Sequence, residues 1–222
     1  MQQKDKIEMN TLKLFEGISK EDVDRMSVCF EAKRVICREG DIIDVESRRD
    51  YVGVVGRGSL NIEKCDESGN GIFLERIDEG GIFGACIAFP ETFCAVAQSD
   101  CEVVFFPYAS ISKPCVKLCD CHMRLIDNML AIMSQKTMGL SERVSVLTSR
   151  TIREKLLHFF NMQAAKSGKP SCDIDMTTSE LADYICADRS AMCRELKRMC
   201  DDGIIKKNRR KISLLKYHEF FT

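Results

Sequence analysis

The sequence predicts an α+β chain built from an N-terminal antiparallel β-roll, one long helix and a C-terminal winged helix-turn-helix. Three observations predict it. Short segments rich in Val, Ile and Phe, punctuated by glycine, run from Ala32 to Pro107. An apolar stripe with alternating spacings of 4 and 3 follows from Cys119 to Leu147. Two short amphipathic helices across a tight turn then precede a basic hairpin. At 222 residues, 45% hydrophobic and 30% charged, the chain has a globular composition and room for one large domain or two modest ones.

Residues 7–30 carry apolar side chains at helical spacing, with Ser19 as an N-cap three residues before Asp22. The roll segments are cut by Gly40-Asp41, Gly56, Gly58, Gly69-Asn70-Gly71, Gly80-Gly81 and Gly84. Turn signals roughly every 8–12 residues read as a sandwich or barrel. NIEKC and IFLERI around Asp66 to Gly71 form the clearest hairpin. From Cys119, the residues Met123, Ile126, Leu130, Met133, Thr137, Leu140, Val144 and Leu147 form an a/d seam, which predicts a symmetric dimer. A single long helix buried within a monomer is the alternative. A second stripe, Leu125, Met129 and Ile132, is left to cover the roll.

The C-terminal third reads as a helix from Thr151 to about Lys166, a Ser-Gly-Lys-Pro loop, and two helices joined across Cys186-Ala187-Asp188. Thr178, Leu181, Ala182 and Ile185 mark the first, and small Ala182 sits where the two must approach. Met192, Leu196 and Met199 mark the inner face of the second, from Arg189 to Met199. Asp202-Gly203 ends it, and IIKKNRRKISLL reads as a strand, a basic turn and a strand. The predicted domains are 1–110, 111–148 and 149–222.

Net charge divides by position: residues 151–222 hold 14 Lys+Arg against 10 Asp+Glu, and residues 1–150 hold 19 against 24. MQQKDKIEMN has no apolar core behind its charges, and no apolar run approaches the roughly 18 residues of a membrane span. A cytoplasmic protein without membrane contact is expected. The thirteen cysteines are then expected to be mostly reduced thiols acting as small hydrophobes.

GGIFGA closing the roll, the long helix running into TIREKLLHFF, and ELADYICADRSAMCRELKRMCDDGIIKK together resemble the Crp/Fnr superfamily of bacterial transcription regulators over essentially the whole chain. MCRELKRM preceded by DRSA resembles a branch common in anaerobic Firmicutes. The resemblance implies a cyclic-nucleotide-binding-like jelly roll, a dimerisation helix through Ile126, Leu130, Met133, Thr137, Leu140 and Val144, and a second motif helix in the DNA major groove. Its base readers would be Arg189, Ser190 and Arg194. An Arg bridges guanine O6 and N7, whereas Ser190 stands where the family often has Glu, so the usual half-site is not assumed. Lys197, Lys206, Lys207, Arg209, Arg210 and Lys211 would meet phosphates, with Thr177, Thr178 and Ser179. Double-stranded DNA with a pseudo-palindromic operator, a second copy of the chain, RNA polymerase and an unidentified small effector are the implied partners.

In the family, a Gly-Glu and an Arg-Ser hold the cyclic nucleotide. Here Gly84 is kept, Ala85 replaces the Glu, and Phe93-Cys94 or Glu91-Thr92 replaces the Arg-Ser. No Lys or Arg occurs from Gly81 to Asp100. A buried phosphodiester without a cation is costly, so cyclic AMP is not expected. Phe83, Cys86, Phe89, Phe93 and Cys94, with Thr137 or Lys136, would line a pocket for an apolar or weakly polar ligand. A filled core is the alternative.

Cys115, Cys119, Cys121 and His122 lie within eight residues and are the candidate ligands for zinc or an iron–sulfur cluster. Reduced cysteines packed against the roll are favoured over that metal or redox sensor, and no cofactor is expected. Cys186, Cys193 and Cys200 recur every seventh residue and are expected to pack in a core. His122, His158 and His218 are scattered, and no GxSxG, P-loop or Rossmann fingerprint occurs, so no enzyme is expected.

Overall fold

The computed structural model describes residues 9–43, 45, 48, 50–65, 71–84, 93–112 and 120–215. The chain divides into two compact units, 1–136 and 137–222. In the first, two 3-10 turns (Met9–Thr11 and Lys13–Phe15) precede helix α1 (Lys20–Cys29). Ser19 caps α1, its Oγ accepting from the Asp22 N–H at 3.2 Å. The described part of this apolar stretch, from Met9, thus forms two turns and a helix. Gly17 makes the break: it takes φ 72, and a Cβ there would meet the Arg124 side chain.

Among the described residues eight strands follow: β1 (Lys33–Cys37), β2 (Ile42–Ile43), β3 (Tyr51–Arg57), β4 (Leu60–Cys65), β5 (Gly71–Ile77), β6 (Ile82–Gly84), β7 (Phe93–Ala97) and β8 (Cys101–Pro107). They form two antiparallel four-stranded sheets, ordered β1-β8-β3-β6 and β2-β7-β4-β5. β4 and β5 pair as the sequence predicts, from Leu60 with Ile77 to Cys65 with Gly71. The turn between them lies outside the described residues.

Side chains alternate across each strand, and β8 is buried on both faces. Cys101, Val103 and Phe105 enter the roll interior with Val55, Leu60, Ile62 and Phe83. Val104 and Phe106 face a helical layer with Val52, Val54, Phe15 and Phe30. That layer includes α3 (Asp120–Leu147), which follows the short α2 (Tyr108–Ser112). Its Leu125 and Met129 are buried and Ile132 packs beside them, as the second stripe predicts. Asn128 Nδ2 donates to the carbonyls of Leu14 at 3.1 Å and Glu16 at 2.9 Å, tying α3 to the N-terminal turns.

At Gly53 a Cβ would stand 2.6 Å from the ring of Phe83, which is fully buried. Gly53→Ala is therefore expected to cost about 1–3 kcal/mol by overpacking, read as a lower urea midpoint at unchanged slope.

In the second unit, α4 (Ile152–Ser167) opens on a capping box. Thr151 Oγ1 accepts from the Glu154 N–H, and the Glu154 carboxylate accepts from the Thr151 and Arg150 N–H groups, which hold it below the usual carboxylate range. Gly168, at φ 65, closes the helix. Then come β9 (Ser171–Asp173), α5 (Thr178–Tyr184), α6 (Arg189–Asp201), β10 (Ile205–Asn208) and β11 (Lys211–Leu214). The sheet order is β10-β11-β9. The β10–β11 hairpin is the predicted basic wing, and β9 joins its edge unforeseen. Leu156, Phe160, Leu181, Ile185, Met192 and Leu196 form the core of this unit. No described helix is long and apolar enough to cross a membrane.

Candidate nucleic-acid interface

The interface is built on α5, the turn and α6. Thr177 and Glu180 form a second capping box, with Glu180 N–H to Thr177 Oγ1 at 3.2 Å and Thr177 N–H to Glu180 Oε2 at 2.6 Å. Ala182 is 2% exposed, which permits the close approach of the two helices. Cys186 takes φ 51, a left-handed backbone that brings the Ala187 N–H within 2.9 Å of the Ala182 carbonyl. Asp188 then caps α6, its Oδ1 accepting from the Ala191 N–H at 2.7 Å.

Met192, Leu196 and Met199 are buried, so α6 presents Arg189, Ser190, Cys193, Arg194 and Lys197 outward, all exposed. Three cations from other helices hold this arrangement. Arg153 on α4 meets Glu195 at 2.5 Å and Asp202 at 2.8 Å. Lys155 donates to the Ile185 carbonyl at 2.9 Å. Arg143, on the C-terminal half of α3, donates to the Tyr184 and Asp183 carbonyls at 3.1 and 3.2 Å and stacks on the Tyr184 ring. The last two neutralise the negative end of α5. Sequence reasoning missed all three, because an isolated cation carries no periodic signal.

Thr178 is half-buried and Ser179 exposed, while Lys206, Lys207, Arg209, Arg210 and Lys211 are exposed on the wing, with Arg209 at φ 54. Arg210 lies 3.4 Å from Asp175. Between α5, α6 and the wing is a cavity of about 290 Å³, floored by Phe160, Leu181, Met192 and Leu196 and rimmed by Lys207, Arg209 and Arg210. A cationic rim beside the capped N-terminus of α5 is suited to an anionic oxygen.

A family profile for the Crp-like helix-turn-helix domain matches residues 154–219, and one for the cyclic nucleotide-binding domain matches residues 27–115. The chain belongs to the Crp/Fnr family of transcription regulators. Similar solved structures agree on the fold. CprK complexed with OCPA superposes with a TM-score of 0.72 at 12% identity, covering 87% of this chain and 92% of that one. A CooA mutant from Carboxydothermus hydrogenoformans gives 0.71 at 17%, covering 97% and 94%. A transcriptional regulator of the CRP/FNR family from Thermus thermophilus gives 0.54 at 22%, covering 84% and 95%. No curated protein matches the sequence. As a Crp/Fnr regulator, the chain is a DNA-binding protein with an effector-type domain.

In this Crp/Fnr roll, Phe83 is a core side chain with its ring 5.8 Å from Phe105 in an edge-to-face contact. Gly84, at φ 100, lies where a Cβ would stand 2.4 Å from the Tyr51 carbonyl oxygen. Phe93 and Cys94 are half-buried on β7, Thr137 is exposed in the second unit, and Ala85 lies outside the described residues. Cys94 is disulfide-bonded, while Cys37, Cys101, Cys121, Cys172, Cys186, Cys193 and Cys200 are free thiols, in keeping with the expectation of mostly reduced cysteines. Cations from outside Gly81 to Asp100 contact the roll, two of them from beyond its strands. Arg48 stacks over Phe105 at 4.9 Å, and Lys136, 15% exposed, meets Glu75 at 2.5 Å. Sequence reasoning had placed Lys136 near the pocket and missed Arg48.

Among the cysteine-cluster candidates, Cys115 and Cys119 lie outside the described residues. Cys121 hydrogen-bonds Asp22. His122 is 4% exposed, with Nε2 donating to the Ile111 carbonyl at 2.7 Å and its ring edge-on to Phe30. No group of three potential metal ligands occurs among the described residues. Cys186 and Cys193 are exposed, which corrects the expectation that they pack in a core, whereas half-buried Cys200 does pack against it. The inner face belongs to Met192, Leu196 and Met199. Cys193, one residue beyond Met192, is rotated about 100° away from it.

Asp188→Ala removes the α6 cap and is expected to cost about 1 kcal/mol of stability. Thermal unfolding measures this, and an unchanged melting temperature would show the cap to be idle.

Proposed function

We propose that the chain acts as a cytoplasmic homodimer in which paired α3 helices set the spacing of two α6 helices on a pseudo-palindromic operator. The observation that carries the reading is the α3 seam. Met123, Leu130, Leu140 and Val144 are each more than half exposed on one stripe of the protomer. Residues 1–110 serve as sensor, 111–148 as dimer helix and 149–222 as DNA-binding domain. Arg189, Ser190 and Arg194 read bases, while Thr178, Ser179, Lys197, Lys206 and Lys207 contact the backbone. RNA polymerase is the further partner.

The signal is a small molecule at the roll other than a cyclic nucleotide. Support comes from the absence of any cation between Gly81 and Asp100 and from Phe83, which fills the interior beside Gly53 and Phe105. The metal-sensor alternative at Cys115, Cys119, Cys121 and His122 is not favoured, because the described imidazole is already committed to the Ile111 carbonyl. The protein has no catalytic role and no resident cofactor.

The test starts from operators selected from random duplexes by repeated rounds of binding. A duplex with two half-sites about 34–36 Å apart should bind far more tightly than one with a single half-site. Equal affinities would overturn the dimer reading. Calorimetry with cyclic AMP is expected to show no binding, and a stoichiometric isotherm would refute the effector reading.

A further inference from the structure

We propose that Cys37 and Cys101 form a redox-active dithiol that closes into a disulfide between β1 and β8. The two residues are direct partners in the antiparallel ladder, and both side chains enter the same interior cluster. Directly opposed residues have Cα atoms about 4.5 or 5.5 Å apart. A disulfide accepts Cα separations of about 4.4–6.8 Å, so strand pairing alone brings the two within bonding range. Both are free thiols, and they are hydrogen-bonded to each other. Among the described residues no other two cysteines share a strand register.

The surroundings assign the two roles. Burial first, then neighbouring Cys37 and the Asp41 and Asp100 carboxylates, push the Cys101 thiol up to about 11. Burial and Asp41 also raise Cys37, but the hydrogen bond from Cys101 and the Arg48 guanidinium act the other way. Cys37 is thus the attacking sulfur and Cys101 the proton holder. Access favours the same order, because β1 is an edge strand and Cys37 its last residue before the Arg38–Asp41 turn. Opening of that edge exposes Cys37 first.

The oxidant is a low-molecular-weight disulfide such as oxidised glutathione. The Cys37 thiolate attacks one of its sulfurs, forming a mixed disulfide and releasing one reduced thiol. Cys101 then attacks the Cys37 sulfur and releases the second. Two protein thiols are oxidised, one disulfide is reduced to two thiols, and the two cysteine protons end on the released thiols. The new bond pins an edge strand to β8, whose Val104 and Phe106 support the helical layer. Exposed Cys186 and Cys193, with no strand-paired cysteine, stop at the mixed disulfide. None of this depends on the dimer or on the effector reading.

The experiment uses the full chain, reduced and desalted without oxygen, then exposed to oxidised glutathione. Remaining thiols are alkylated after denaturation and the digest is read by mass spectrometry. The Val35–Arg38 peptide is expected to appear joined to the peptide carrying Cys101, with fragmentation placing the bond, and to be released by dithiothreitol. Recovery of Cys37 and Cys101 as alkylated thiols, or either joined to a different cysteine, overturns the proposal.

Discussion

Arg194→Ala is expected to lower affinity for the selected operator by about 1–3 kcal/mol at each half-site, the value of a bidentate arginine–guanine contact. In the proposed dimer Arg194 occurs twice at well-separated positions, so the losses would add to about 2–6 kcal/mol, roughly 30-fold to well over a thousandfold. Affinity for unrelated duplex should change far less. Lys207→Ala should behave in the opposite manner. Lys207 is exposed on the wing, and the proposed role of its ammonium is to meet a phosphate rather than a base edge. Its loss weakens all sequences alike and reduces the slope of log affinity against log salt by about 0.9 per contact. Fluorescence anisotropy at several salt concentrations, on operator and on scrambled duplex, separates the two. If Arg194→Ala weakens both duplexes equally, α6 does not read bases through that side chain.

What the sequence made legible follows the range of each interaction. The DNA-binding unit was readable because its determinants are local. Thr177 and Glu180 are three residues apart, as are Asp188 and Ala191, and Ala182 stands within one turn of the helix junction. The β4–β5 hairpin was readable for the same reason. The order of the two sheets was not, because β8 pairs with both β1 and β3 and is buried on both faces, leaving no alternation to read. β9 is only Ser171–Asp173, and it is a strand because β11 lies beside it. His122 resembled a ligand beside three cysteines; the Ile111 carbonyl and Phe30 make it a core side chain. The seven-residue cysteine repeat from Cys186 was the reverse case. It names a stripe but not which side faces the core, and the neighbouring Met192, Leu196 and Met199 decide that. Arg48 and Arg143 gain their roles from partners distant in sequence, the Phe105 ring for Arg48, and the Tyr184 ring with the Tyr184 and Asp183 carbonyls for Arg143.

Leu140→Asp is expected to have the largest effect of any single substitution, and to have it without unfolding the protomer. Leu140 is 62% exposed, so the change creates no cavity and buries no charge within one chain. In a two-fold dimer the same position recurs on the facing helix, and an isologous seam brings the residue and its copy close together. Each leucine buried there contributes about 1.5–3 kcal/mol, and two carboxylates facing one another in a dry seam add repulsion and desolvation. Several kcal/mol of association energy are lost, enough to move a micromolar sample from dimer to monomer. Loss of the dimer removes the second half-site, so operator affinity falls with it. Gln135→Asp is the control: it puts the same charge on an exposed position of α3 away from the stripe. Sedimentation and operator binding should distinguish the two variants, with circular dichroism unchanged for both. A Leu140→Asp protein that remains dimeric and binds its operator would leave the α3 seam without a role in assembly, and Arg143 on α3 would then have to act on α5 within a single chain.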